Sequence, residues 1–222
     1  MNFDCLIFDH DDTCVDSTAS VHYPAHVEVM KQMRPNEPVI SLHTWFEKNF
    51  HPGIMAFLTQ ELGLTKEEMD EEYRIWQEFN AEKNPPFYPG IPELMERFVQ
   101  QGGIIAVVSH SVDSHIRRHY AAGAPNITPQ FIFGWEHEEE KRKPSPYPVQ
   151  QILAATGASP HRTLVIDDLR PGIDMARAAG VQAAAAGWGH SIPAIQNTMR
   201  EICDHYLPDI PSLERLIFEE QL

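Results

Sequence analysis

Five short apolar runs set what this chain can fold into: Cys5–Phe8, Ile104–Val108, Phe131–Phe133, Thr163–Ile166 and Val181–Ala186. Several are near-continuous rather than alternating. A strand with one wet face alternates apolar and polar residues, whereas a parallel strand covered by helices on both faces need not. Helical patterns with readable ends lie between most of the runs. Pro92 stands just inside one that carries Leu94, Met95, Phe98 and Val99 and closes at Gly102. Another starts after Ser111 and ends near Gly123. A third contains Val149, Ile152 and Leu153 and stops at Gly157, and a fourth follows Pro171 and ends at Gly180. This alternation predicts a doubly wound α/β domain, a parallel sheet between two helical layers.

The first two runs are separated by helical signals alone. Ala19–Met33 reads as a helix stopped by Pro35, and Thr65-Lys66-Glu67-Glu68 has the form of a capping box. Met69, Tyr73, Trp76 and Phe79 then repeat as one apolar helical face. Pro85-Pro86 ends the stretch and Pro89-Gly90 returns the chain to the α/β pattern. Residues 1–17 and 88–222 are therefore expected to form the α/β domain, with 18–87 an inserted helical domain.

Charge narrows the partners. The net charge is −15, and the longest basic run is Lys141-Arg142-Lys143. Nucleic acid and anionic membranes need a basic footprint, so neither is expected. A phosphorylated substrate would be repelled at long range, and its site must carry its own cations. Cys5, Cys14 and Cys203 have no Cys-x-x-Cys spacing and read as free thiols of a cytoplasmic protein. The first residues carry no signal-peptide pattern, and no apolar segment has membrane-spanning length.

Four polar constellations fall where the strands end. Asp9-His10-Asp11-Asp12-Thr13 follows the first run, in the crevice where α/β domains bind ligands. Two carboxylates this close repel unless a cation is present or one is protonated, so one suits a nucleophile and the other a proton carrier. An acidic turn with Asx hydrogen bonds is the plainer alternative. Ser109-His110-Ser111 ends the second run, where a hydroxyl and backbone N–H groups can bind an anion, although Ser111 also suits an N-cap. Lys143-Pro144-Ser145-Pro146 holds an ammonium on a stiffened segment, or is a solvated turn. Asp167-Asp168 ends the fourth run and offers the oxygen-rich surroundings that Mg²⁺ favours.

In this order, the four segments resemble the haloacid dehalogenase superfamily of hydrolases. Asp9-x-Asp11-x-Thr13 with Val15-Asp16-Ser17 fits its first motif, Ser109 its second, and Lys143 with Pro144 and Pro146 its third. Asp167-Asp168 with Gly172-Ile173 and Ala178-Ala179-Gly180 fits its fourth. The insertion after the first motif resembles the helical cap of the phosphoglycolate phosphatase-like and β-phosphoglucomutase-like members. The resemblance implies a Rossmann-like three-layer α/β/α core and a Mg²⁺-dependent phosphatase acting on a small phosphorylated metabolite. It implies Asp9 as nucleophile, Asp11 as acid and base, and Ser109, His110 and Lys143 as phosphate ligands. Asp9, Asp11, Asp167 and Asp168 would hold the metal. Asp12 stands where many relatives have glycine, His110 where asparagine is frequent, and Leu169 where serine is common.

A phosphomutase on a sugar phosphate and a non-catalytic phosphometabolite-binding protein are the alternatives, as a monomer or homodimer. His22, Tyr23, His26, His43, Trp45 and Lys48 of the insertion are substrate-facing candidates, with ordinary packing the commoner role. The twelve histidines are read as offering no His-x-x-x-His pair or other zinc spacing, so no zinc site is expected, and Gly187-Trp188-Gly189-His190 reads as a tight turn at the crevice rim.

Overall fold

The computed structural model describes residues 1–219. In chain order the elements are β1 (Cys5–Phe8), a wide helical turn at Thr18–His22, α1 (Tyr23–Met33), α2 (Leu42–Phe50), α3 (Ile54–Ala56) and α4 (Lys66–Asn80). There follow α5 (Ile91–Gln100), β2 (Ile104–Val108), α6 (Asp113–Gly123), β3 (Phe131–Phe133), α7 (Tyr147–Thr156) and β4 (Thr163–Asp167). The chain continues through α8 (Arg170–Ala179), β5 (Gln182–Ala186), α9 (Pro193–Ile202), β6 (His205–Leu207) and α10 (Ile210–Phe218). It divides into two compact units, Met1–Asp16 with Pro86–Leu222, and Ser17–Pro85.

The first unit is a six-stranded parallel sheet of order β3-β2-β1-β4-β5-β6, the Rossmann-like α/β fold. Because side chains alternate along a strand, β1 feeds both faces. Leu6 and Phe8 join Leu94, Met95 and Phe98 of α5, Ile116 and Tyr120 of α6, and Leu213 and Ile217 of α10 in one core. Cys5 and Ile7 are equally buried and point to the opposite face, which explains why this run has no polar alternation. The chain runs outward from β1 through β2 to β3, then crosses back to β4 and outward again through β5 to β6. Its direction reverses between β1 and β4, and the mouth of an α/β sheet opens at such a reversal. Pairing of Phe8 with both Val107 and Ile166 brings the ends of β2, β1 and β4 level.

The second unit is helical. Its capping box forms as expected, with Thr65 N–H donating to Glu68 and Glu68 N–H to Thr65 Oγ1. Trp45, Phe57, Leu58 and Leu64 make its core. The expected apolar face of α4 differs from the structure: Tyr73 is exposed, and the buried apolar residue is Ile75, because α4 turns a neighbouring face toward α1.

Candidate active site

Asp9 is the first residue beyond β1, and its N–H donates to Ile166 O at 2.8 Å, carrying the β1–β4 ladder one step further. The chain then folds back on itself. His10 O accepts the N–H groups of Cys14 (2.8 Å) and Val15 (3.1 Å), and Asp12 N–H donates to Val15 O. This tight reversal puts Asp12 at φ 54°, in the left-handed region. A glycine takes that conformation without strain, so the aspartate here carries a backbone cost.

Lys143 reaches this loop from the segment before α7. Its Nζ donates to Asp9 Oδ1 at 2.6 Å and to Asp167 Oδ2 at 2.7 Å, and all three side chains are almost wholly buried. Burial alone would lower the lysine, but Asp167 and Asp9 outweigh it and hold the ammonium above the usual lysine range. Beside it, Arg142 donates to His137 O at 2.6 Å and lies 3.9 Å over the Trp135 ring. Arg142 is thus a half-buried anchor of the loop.

Asp167 and Asp168 leave β4 in opposite directions. Asp167 turns back to Lys143, and its second oxygen accepts Leu169 N–H at 2.8 Å. Asp168 is clasped by Thr13: the threonine hydroxyl donates to Asp168 Oδ1 at 3.2 Å and accepts Asp168 N–H at 3.1 Å. One oxygen from each of Asp9, Asp167 and Asp168 falls within 4.8 Å of the other two. Burial and then the charges of Asp9, Asp167 and Asp12 push the Asp168 carboxyl well above its usual range. Asp167 is also raised, by burial first, with Lys143 opposing. Three buried carboxylates share one ammonium, and an added hard cation would offset the remaining charge. A donor set made only of carboxylate oxygens fits Mg²⁺.

Asp11 lies apart from this cluster. The Ser111 hydroxyl donates to its Oδ2. Ser111 is therefore no helix cap: the N-cap of α6 is Val112, and the serine serves the carboxyl group across the loop. Ser109 Oγ accepts Ser111 N–H at 3.1 Å. His110 is exposed, and its Nε2 lies 3.0 Å from Lys143 O. A carbonyl can only accept, so that nitrogen is the donor and is directed at the lysine backbone.

Beyond the expected residues, the structure brings in Thr13, Ser111, Gly172 and the turn after β5. A Cβ on Gly172 would stand 1.9 Å from Asp167 Oδ2, and one on Gly189 would stand 2.2 Å from Asp12 O. Trp188 Nε1 donates to Thr13 O at 3.0 Å, so that turn clamps the loop after β1. The glycines carried a signal in the sequence, whereas the hydroxyl roles of Thr13 and Ser111 exist only across long chain separations. The histidine reading needs one correction. Two His-x-x-x-His pairs are present, His22 with His26 and His115 with His119, and the second is buried on α6. Among the described residues, the cluster of three metal-capable groups is still Asp9, Asp167 and Asp168.

The insertion's candidates are occupied within their own unit. His26 and Trp45 are core residues with rings 4.3 Å apart. His22 accepts from Trp76 at 3.2 Å and Tyr23 donates to Ile40 O. Lys48 pairs with Glu61 and His43 with Glu47.

A family model described as haloacid dehalogenase-like hydrolase matches residues 6–186. A phosphoglycolate phosphatase of Haemophilus influenzae is 24% identical over 216 residues, covering 92% of this chain and 95% of its own. A phosphoglycolate phosphatase of Mesorhizobium japonicum is 29% identical over 113 residues, which is 47% of this chain and 45% of the relative. A haloacid dehalogenase-like hydrolase structure from Streptococcus pneumoniae superposes with a TM-score of 0.76 at 20% identity, covering 99% of both chains, and has the same fold. No helix among the described residues is long and apolar enough to cross a membrane.

Proposed function

We propose, from the premise that this chain belongs to the haloacid dehalogenase-like hydrolase family and is a phosphatase, that it hydrolyses a small organic phosphate monoester through an aspartyl-phosphate on Asp9. The observation that carries the reading is the buried Lys143 bridging Asp9 and Asp167 at the ends of β1 and β4. The ammonium holds one Asp9 oxygen in place, and a nucleophile fixed in orientation has little freedom to lose before attack.

In the first half-reaction an Asp9 oxygen bonds to phosphorus while the bond to the ester oxygen breaks. Asp11, held by the Ser111 hydroxyl, gives its proton to the departing alkoxide. In the second, Asp11 takes a proton from water, whose oxygen attacks the aspartyl-phosphate, releasing inorganic phosphate and restoring the Asp9 carboxylate. Lys143 and Ser109 meet the non-bridging oxygens. His110 acts one step back, by holding the Lys143 carbonyl. Bound Mg²⁺ would neutralise charge on the phosphoryl oxygens and the nucleophile. Asp9, Asp168 and the backbone carbonyl of Asp11 are the donors we assign to it. Asp167, with both oxygens engaged, supports the site from behind. The inserted helical unit is read as the cap, to which selection of the organic group is assigned.

The test is release of inorganic phosphate from 2-phosphoglycolate and a set of sugar phosphates, with Mg²⁺ and with chelator. Metal-dependent release is expected, with Asp9→Asn lowering it at least about 10³-fold while the protein stays folded. Absence of release from every ester, or an Asp9→Asn variant equal to wild type, would sink the reading. Interconversion of sugar-phosphate isomers without net release would identify a phosphomutase instead.

A further inference from the structure

Ser111, two residues before α6 begins, supports the loop after β1 by donating to Asp11, and α6 itself meets that loop a second time further along its length. His10, between Asp9 and Asp11, is fully buried, and its Nε2 lies 2.9 Å from His119 Nδ1. His119 Nε2 in turn lies 3.3 Å from Arg118 Nη2. A guanidinium has no acceptor, so Arg118 donates to Nε2 of His119. A neutral imidazole carries one proton, so that of His119 sits on Nδ1 and is donated to Nε2 of His10. Both tautomers follow from the one group that can only give. Tyr120 stacks on His10 at 5.8 Å between ring centres and lies within 3.8 Å of Cys14 Sγ, which donates to Asp9 O.

We propose that His119, oriented by Arg118, is a positioning residue for the reaction: through a one-way hydrogen-bond chain to His10 it fixes the loop that carries Asp9 and Asp11. His10 is the apt handle because its carbonyl receives two of the N–H groups that close the loop. With Ser111 on Asp11, the α6 segment holds this loop at two points, His10 and Asp11. Loss of the chain would leave the fold standing and let the nucleophile and proton carrier drift. A shift of about 1 Å in reacting groups costs up to ~10²-fold in rate.

Two readouts test this. The first is independent of catalysis: long-range ¹H–¹⁵N correlation on the ¹⁵N-histidine-labelled protein, with His119 assigned by loss of its signals in His119→Asn. The expected pattern is a proton on Nδ1, opposite to the preference of free histidine, and Arg118→Met should relax it toward the Nε2–H form. A proton on Nε2 of His119 in the wild type would overturn the chain. The second rests on the proposed phosphatase reaction. His119→Leu should lower kcat about 10-fold with KM within roughly 2-fold, while His119→Asn, whose amide can donate from the Nδ1 position, should recover most of it. Equal kcat in Leu and wild type would overturn the positioning role even with the tautomer as expected. If His119→Leu fails to fold, the Asn and Arg118→Met variants still decide the matter. Activity missing from the wild type itself would count against the phosphatase reading and leave the tautomer result standing.

Discussion

Gly172 and Asp12 show how closely the backbone approaches the chemistry, and they predict opposite outcomes. Gly172 opens α8 beneath the carboxylate that holds Lys143. Its alanine variant would place a methyl 1.9 Å from Asp167 Oδ2, so the carboxylate must swing away and release the ammonium. Gly172→Ala is expected to lose at least ~10-fold in kcat, because misplaced groups forfeit most of their orientation advantage. Far-ultraviolet circular dichroism should stay unchanged, and an unaltered kcat would refute the argument. At Asp12, φ is 54°, a conformation that disfavours a Cβ. Its carboxylate also adds to the charge pushing Asp168 upward. Asp12→Gly should therefore raise stability by about 1 kcal/mol, read as a higher urea midpoint with activity retained. A lower midpoint would mean that the Asp12 side chain contributes more than its backbone costs.

At the scale of elements, α1 carries a buried base into the helical core. His26 packs on Trp45 and Phe57, and burial lowers it from 6.5 to about 4. Above pH 6.5 neither folded nor unfolded chain protonates this ring. Between 6.5 and about 4 the unfolded chain binds a proton that the folded one refuses, so stability falls as pH falls, by on the order of 2 kcal/mol for this group. His26→Phe should flatten that part of the Tm–pH profile, and an unchanged slope between pH 7 and 5 would show that other groups set it. Such elements differ in how far sequence reveals them. The central strands are legible because both faces are buried, which leaves an unbroken apolar run. β6 is not, since its three residues at the sheet edge include half-buried His205 and Tyr206, and α9 and α10 went unread with it. α4 was legible in its cap and not in its buried face, because an amphipathic stripe cannot tell which neighbour it will meet. In the site, Asp9, Asp167 and Asp168 were legible because strand ends collect functional groups, and Lys143 because flanking prolines mark a stiffened basic segment. The Ser111–Asp11 and His119–His10 contacts, each spanning about a hundred residues, leave no local pattern.

The whole molecule sets the terms on which any substrate arrives. Acidic residues outnumber basic ones, 32 to 17. Many of the basic ones stand in exposed pairs such as Arg74 with Glu71, Arg97 with Glu214 and Arg162 with Asp4, which cancel locally and project little field. Lys143 cannot act at a distance either, being buried between two carboxylates. A phosphate dianion therefore approaches against the net charge of −15 and meets attraction only at contact range. Electrostatic steering normally makes association faster at low salt, and here the sign reverses. Raising monovalent salt from about 10 mM to about 150 mM shortens the screening length from roughly 30 Å to 8 Å, which removes repulsion while sparing contacts inside the site. With Mg²⁺ held at saturation, kcat/KM for an anionic ester should rise a few-fold over this range and kcat should stay nearly constant. A fall in kcat/KM would mean that a cationic surface faces the incoming substrate despite the net charge, and charge-reversal of exposed lysines would then locate it.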